Sequence, residues 1–190
     1  NVDFMVADIA KNKRGNEDNY AYNGVPTLFR HKLARVSVKA KLDDAYENKT
    51  INLTSVELTN IKTKGNYVNN NWMGQGAPEN IQVYNDASGL LLNKDAAIEI
   101  GTQKRIVMPQ ALAQDAYFKI KYNLTTTIAG GGTDTQLIEK DILIKNVTPA
   151  WYTNNDITYT LIISLGTNYI EFDTSVTDWV GYGNMDLTIE

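Results

Sequence analysis

Residues 28–42 read LFRHKLARVSVKAKL. From Ala34 onward the stretch alternates strictly, with Ala34, Val36, Val38, Ala40 and Leu42 on one face and Arg35, Ser37, Lys39 and Lys41 on the other. A period of two with one polar side is the pattern of a half-buried β-strand. Just before it, Phe29, His31 and Leu33 carry the opposite parity, so the pattern slips by one residue at Leu33–Ala34. A β-bulge at the slip would keep both apolar sets on one core, which predicts that Phe29 and Val36 face the same side of a sheet.

Strand-like runs recur along the rest of the chain. Ile51 and Leu53 hold one phase, then Val56 and Leu58 the other. Ile81–Tyr84 and Ile98–Ile100 are short candidates, and Arg105–Met108 runs into Pro109, which should end a strand or sit at an edge. Phe118, Ile120, Tyr122 and Leu124 alternate against Tyr117, Lys119, Lys121 and Asn123. Leu137–Ile144 follows Gly130-Gly131-Gly132, which reads as the tip of a long hairpin. Ile157, Tyr159, Leu161, Ile163 and Leu165 share one face, and Tyr169–Phe172 is a further short strand. No window longer than about ten residues shows a capped apolar period of 3.6, so little helix is expected beyond one turn at Lys94–Ile98. Many strands between Gly, Asn and Asp turns predict an all-β sandwich or barrel. Residues 1–25 read as an N-terminal lead-in or linker, with an exposed loop at Lys11–Asn19, and residues 26–190 as a single β-sandwich domain. Gly65–Pro78 reads as a long connection carrying Tyr67, Trp72 and Met73.

The composition narrows the function. A chain of 190 residues with 43% hydrophobic and 21% charged residues can bury a proper core. The net charge of −4, with both signs interspersed, gives no grip on nucleic acid. No apolar run approaches the roughly 20 residues of a membrane-spanning helix. The first residue is Asn1 rather than an initiator Met, so the lack of a signal peptide carries no information about compartment. Cysteine is absent, which removes disulfides and thiolate chemistry, and one histidine without cysteine argues against a zinc or copper site.

Catalytic sets are equally hard to assemble. His31 is the only base available to a Ser–His–Asp arrangement, no nucleophile elbow is present, and the histidine reads as tucked at the core edge and bonded to backbone. Asp43-Asp44 and Asn154-Asn155-Asp156 lack the spacing of a calcium loop and read as solvated turns. The 22 acidic residues cannot be paired into a glycosidase site from sequence. Catalytic residues, cofactor and metal are therefore each expected to be none. Aromatic side chains offer another chemistry. Tyr67 and Trp72 in the long connection, with Trp151 near a turn, would form a glycan-stacking platform or else pack over the sandwich ends.

Several motifs, in order, resemble the C-terminal domain of fimbrillin-like proteins of Bacteroidales, the Mfa-like and FimA-like subunits of type V pili, often described as cell-adhesion proteins. They are Asp3-Phe4-Met5-Val6-Ala7; Phe29-Arg30-His31-Lys32-Leu33-Ala34-Arg35-Val36; Val107-Met108-Pro109-Gln110; and Trp151, Tyr159-Thr160-Leu161, Ile170-Glu171-Phe172 and Val176-x-x-Trp179. The resemblance implies a transthyretin-like, Greek-key antiparallel β-sandwich and no catalytic residues. It implies export to the cell surface, in the outer membrane or a fimbrium, with membrane attachment only through an N-terminal lipid anchor that this chain does not carry. The partners it implies are other pilin subunits and a host or bacterial surface ligand. Strand exchange between subunits would be served by Met185, Leu187 and Ile189, which alternate after the Gly181–Gly183 break; the other reading is a last strand in the chain's own sheet. The expected function is a structural and adhesive subunit of surface fimbriae, the alternative a carbohydrate-binding surface module.

Overall fold

The structure is a computed structural model that describes residues 2–7, 29–165 and 170–179. In chain order its strands are β1 (Met5–Ala7), β2 (Phe29–His31), β3 (Ala34–Leu42), β4 (Lys49–Lys62), β5 (Asn66–Val68), β6 (Asn71–Met73), β7 (Pro78–Leu91), β8 (Ile98–Val107), β9 (Gln110–Ala111), β10 (Tyr117–Thr127), β11 (Thr133–Leu143), β12 (Ala150–Trp151), β13 (Asn155–Ile163) and β14 (Ile170–Asp178). A 3₁₀ turn at Ile144–Asn146 is the only helical element among the described residues, and Lys94–Ala96 is a bend rather than a helical turn.

Two four-stranded sheets carry the fold, one in the order β11-β10-β4-β7 and the other in the order β14-β13-β3-β8. Their inner faces close on one core, from Ala34, Val36, Val38 and Ala40 of β3 to Ile157, Tyr159, Leu161 and Ile163 of β13, with Ile51, Leu53, Val56 and Leu58 of β4 opposite. This is an all-β sandwich in the Greek-key, transthyretin-like order. One pairing is not antiparallel: β3 runs parallel to β13, from Arg35 beside Asp156 to Leu42 beside Ile163. Several strands separate the two in sequence, so no hairpin dictates their relative direction.

The opening stretch divides in two. Phe29–His31 pairs with β1 in a small sheet of its own, while Ala34–Leu42 enters the main sandwich. Phe29 is 52% exposed and Val36 1%, so the parity slip is a break between two sheets, not a bulge within one strand. Of the set ahead of the slip, Leu33 joins a second, smaller cluster with Met108 and Trp179, and His31 stacks on Trp179. The phase change in β4 is a bulge. Leu53 and Val56 are both fully buried, β10 shifts register between Lys121 and Tyr122, and the Thr54 hydroxyl donates to the Lys121 carbonyl at 3.1 Å.

Two turn features follow from residue type. Thr127 pairs with Thr133 across the Gly130–Gly132 tip of the β10–β11 hairpin. In the Asn-rich connection, Asn69 and Asn70 take φ of 49° and 64°, the two left-handed positions of a tight hairpin turn, and so β5 pairs with β6. The last described strand, β14, runs on to Asp178, well beyond the expected Phe172, because its whole length pairs with β13 from Ile163 back to Asn155. Lys11–Asn19 and the expected domain start near Val25–Pro26 lie outside the described residues.

Candidate functional site

One end of the sandwich gathers side chains from several separate segments. The Nδ1 atom of His31 lies 2.7 Å from the Asp3 carboxylate, and its ring stacks on Trp179 with centroids 3.9 Å apart and planes 5° from parallel. Burial leaves His31 6% exposed, and its Nε2 has no hydrogen-bond partner among the described residues. The histidine is therefore buried as expected, but its partner is a carboxylate rather than backbone. The Arg35 guanidinium lies 5.0 Å from the centre of the Trp179 ring, a cation–π distance.

Arg35 also pairs with Asp156, which Lys104 approaches at 3.4 Å. Burial pushes the Asp156 carboxyl up, but the hydrogen bond and charge of Arg35, helped by Lys104, outweigh it and hold its pKa below the usual value. This pair ties β3 to β13 where they start, next to the stack.

The aromatic residues singled out in the sequence separate into two places. Tyr67 and Trp72 sit directly opposite each other on β5 and β6, 5.3 Å apart, and Phe4 packs edge-on against both at 5.2 and 5.7 Å. The Trp72 indole N–H donates to the Lys32 carbonyl at 2.6 Å, and its ring packs on the Leu33–Met108–Trp179 cluster. Trp151 belongs elsewhere and corrects the three-residue platform. It is 1% exposed in the main core, where its indole N–H donates to the Tyr159 hydroxyl at 2.9 Å. The inward face of the paired β12 takes it there, so it offers no surface to a ligand. Met185, Leu187 and Ile189 lie outside the described residues.

A second feature has no counterpart in the sequence reading. On the outer face of the first sheet, a hollow of about 310 Å³ is lined by Thr59, Asn60, Pro78, Asn80, Asp115 and Tyr117. A β-bulge shapes it. Leu58 pairs with Ile81 and Ile61 with Glu79, so β4 carries one residue more than β7 between those pairs. Leu58 and Ile61 are both fully buried, and Asn60 takes up the extra residue with φ of 60°, a left-handed conformation that asparagine tolerates better than most. Its backbone N–H is held by the Asn80 side-chain oxygen at 3.3 Å, while the Thr59 hydroxyl donates to the Tyr117 carbonyl at 3.1 Å. The parity of Leu58 and Ile61 was the one sequence signal for this bulge. Nothing in residue spacing brings Asp115 beside Asn60, since the β4–β10 pairing does so.

Among the described residues, no group of three or more His, Cys, Asp and Glu side chains converges as metal ligands would. The geometry is that of a β-sandwich module with a tied-down end. The chain belongs to the fimbrillin-like family, whose model matches residues 1–179. Among solved structures it is similar to a fimbrial protein from Bacteroides vulgatus, at 17% identity and a TM-score of 0.66, over 88% of this chain and 60% of that one. It also aligns with the tip fimbrial protein Mfa3 from Porphyromonas gingivalis, at 13% identity and a TM-score of 0.36, over 80% of this chain and 52% of that one. The chain thus spans less than two thirds of the length of these relatives. No curated protein sequence matches it significantly.

Proposed function

We propose that this chain is part of a structural and adhesive subunit of surface fimbriae, exported to the cell surface and assembled there with other pilin subunits by β-strand exchange. Membership of the fimbrillin-like family over residues 1–179 carries the reading. The sandwich adds a physical means. Among the described residues, β11 is an eleven-residue strand paired only to β10, so no described strand takes up the backbone groups of its other edge, and Leu137 and Leu143 are exposed along it. A strand from a neighbouring subunit would gain main-chain hydrogen bonds on such an edge, and alternate side chains would set its register. Met185, Leu187 and Ile189 have the alternation a donor needs.

Deletion of residues 184–190 tests the assembly step, read by light scattering and electron microscopy of the purified protein and by unfolding of the monomer. Loss of polymer with an unchanged monomer is expected. Unchanged assembly with a destabilised monomer would show that the segment is a strand of the chain's own sheet, and would sink donation.

A further inference from the structure

We propose that the hollow beside the β4 bulge binds a neutral saccharide, with Asn60, Asn80 and Asp115 hydrogen-bonding its hydroxyls and Tyr117 and Pro78 giving its ring a surface to lie on. The lining is chemically selective. Two carboxamides supply both donors and acceptors, and one carboxylate supplies acceptors only. That is the mixture that meets hydroxyl groups, each of which donates one hydrogen bond and accepts others. Among the described residues, the Asp115 carboxylate, the Tyr117 hydroxyl and the Asn60 carboxamide make no side-chain hydrogen bond, so a ligand need not displace an internal partner. Asn80 is anchored by accepting from the Asn60 backbone, which leaves its amide N–H₂ to donate.

The same lining argues against other ligands. Among the described residues, no lysine or arginine lines the hollow, so a phosphate, sulfate or carboxylate would meet Asp115 without a compensating charge. A single carboxylate with two amides is too poor a set for calcium, which takes six to eight oxygens. An apolar ligand would strand the amides without partners. The hollow is shallow and open, so it would hold one face of a sugar unit rather than enclose a ligand.

Position matters as well. Tyr117 lies outward on β10 opposite Thr59 and Leu143, on the solvent face of the sheet, at the end of β4 that leads through Lys62 to Leu33 and Met108. A fimbrial subunit could carry a sugar there without disturbing its core. The site does not depend on strand exchange, so either idea can fail alone.

The test uses the 190-residue chain, isotope-labelled, titrated with methyl α-mannoside, methyl β-galactoside, N-acetylglucosamine and fucose, and screened in parallel on a glycan array. Amide shifts confined to residues 58–61, 78–80 and 115–118 are expected, with millimolar affinity for the best sugar. Asp115→Ala and Asn80→Ala should each weaken it about tenfold, the effect of losing roughly 1.4 kcal/mol of hydrogen bonding, with unfolding unchanged in Asp115→Ala. Trp72→Phe should bind as the parent does. Three results would each overturn the proposal: no sugar binds, the shifts cluster around Trp72 instead, or both alanine variants keep parental affinity.

Discussion

Trp179→Ala tests whether the stacked end is an anchor. Trp179 is 8% exposed, and its ring is covered by His31, by the Arg35 guanidinium, and by Leu33 and Met108. Truncating a buried tryptophan to alanine costs about 3–5 kcal/mol. The stack and the cation–π contact, about 1 kcal/mol each, are part of that figure and not additions to it. The lower end applies, since Trp179 follows the last residue of β14 and the backbone there can relax into the space. The expected loss is therefore about 3 kcal/mol, or about 6–12 °C in Tm for a domain of this size. The assay is urea unfolding followed by fluorescence, with native-state hydrogen exchange read at β1 and β2. Exchange should rise first at Met5–Ala7 and Phe29–His31, which Asp3 and His31 hold to the stack. Val176→Ala serves as the control, because Val176 lies nearby on β14 and is 49% exposed. If Trp179→Ala loses no more stability than Val176→Ala, or if exchange at β1 is unchanged, the end is not held by this ring.

Four further outcomes follow from the structure. Gly101→Ala should cost about 2–4 kcal/mol in chemical denaturation, because φ is 81° and the new Cβ would lie 2.8 Å from the Val83 carbonyl oxygen. Gly131→Ala, with φ of 105° but open space around it, should cost only the backbone part, about 1 kcal/mol. Trp151→Phe removes the donor to the buried Tyr159 hydroxyl and should cost about 2 kcal/mol, whereas a surface-exposed Trp151 would lose almost nothing. Asp156 has its carboxyl pKa lowered by Arg35 and Lys104 against the upward push of burial, so its stabilisation is full above the unfolded value near 3.8 and fades as pH falls below it. Asp156→Asn should flatten the stability profile on the acid side of that value, and an unchanged acid limb would refute the ion-pair account.

Much of the sandwich was legible because alternation and burial are the same fact seen twice. The inward sets of β3, β10 and β13 could be read residue by residue, since each strand has one wet face. The longer β7 and β8 were not, because they lie at sheet edges, where one row of hydrogen bonds and weak burial leave little pattern. The slip at Leu33–Ala34 was visible, but a parity change cannot say whether a strand bulges or the chain changes sheets. In β4 the same signal marked true bulges, at Thr54 and at Asn60. The Asn69–Asn70 turn carried the right residues for a tight hairpin and was obscured by the glycines around it. Of the aromatic platform, Tyr67 and Trp72 come together, while Trp151 is taken into the core. Sequence gives a side chain's face only when its strand is long enough to set a phase, and β12 has two residues.

The parallel pairing of β3 and β13 has a mechanical consequence. Because β13 turns back into β14, Arg35 lies beside Asp156 at the same end of the sheet where Asn155 pairs with Asp178. Among the described residues, β3 therefore starts and β14 ends at one end of the sheet, within reach of the His31–Trp179 stack. A pull applied at Phe29 and Trp179 would not shear the sheet along its length. It would peel the two strands apart from that end, breaking hydrogen bonds one after another. The first thing strained would be the ring stack and the Arg35–Asp156 pair, and most of the eight-stranded core would carry no load until they gave way.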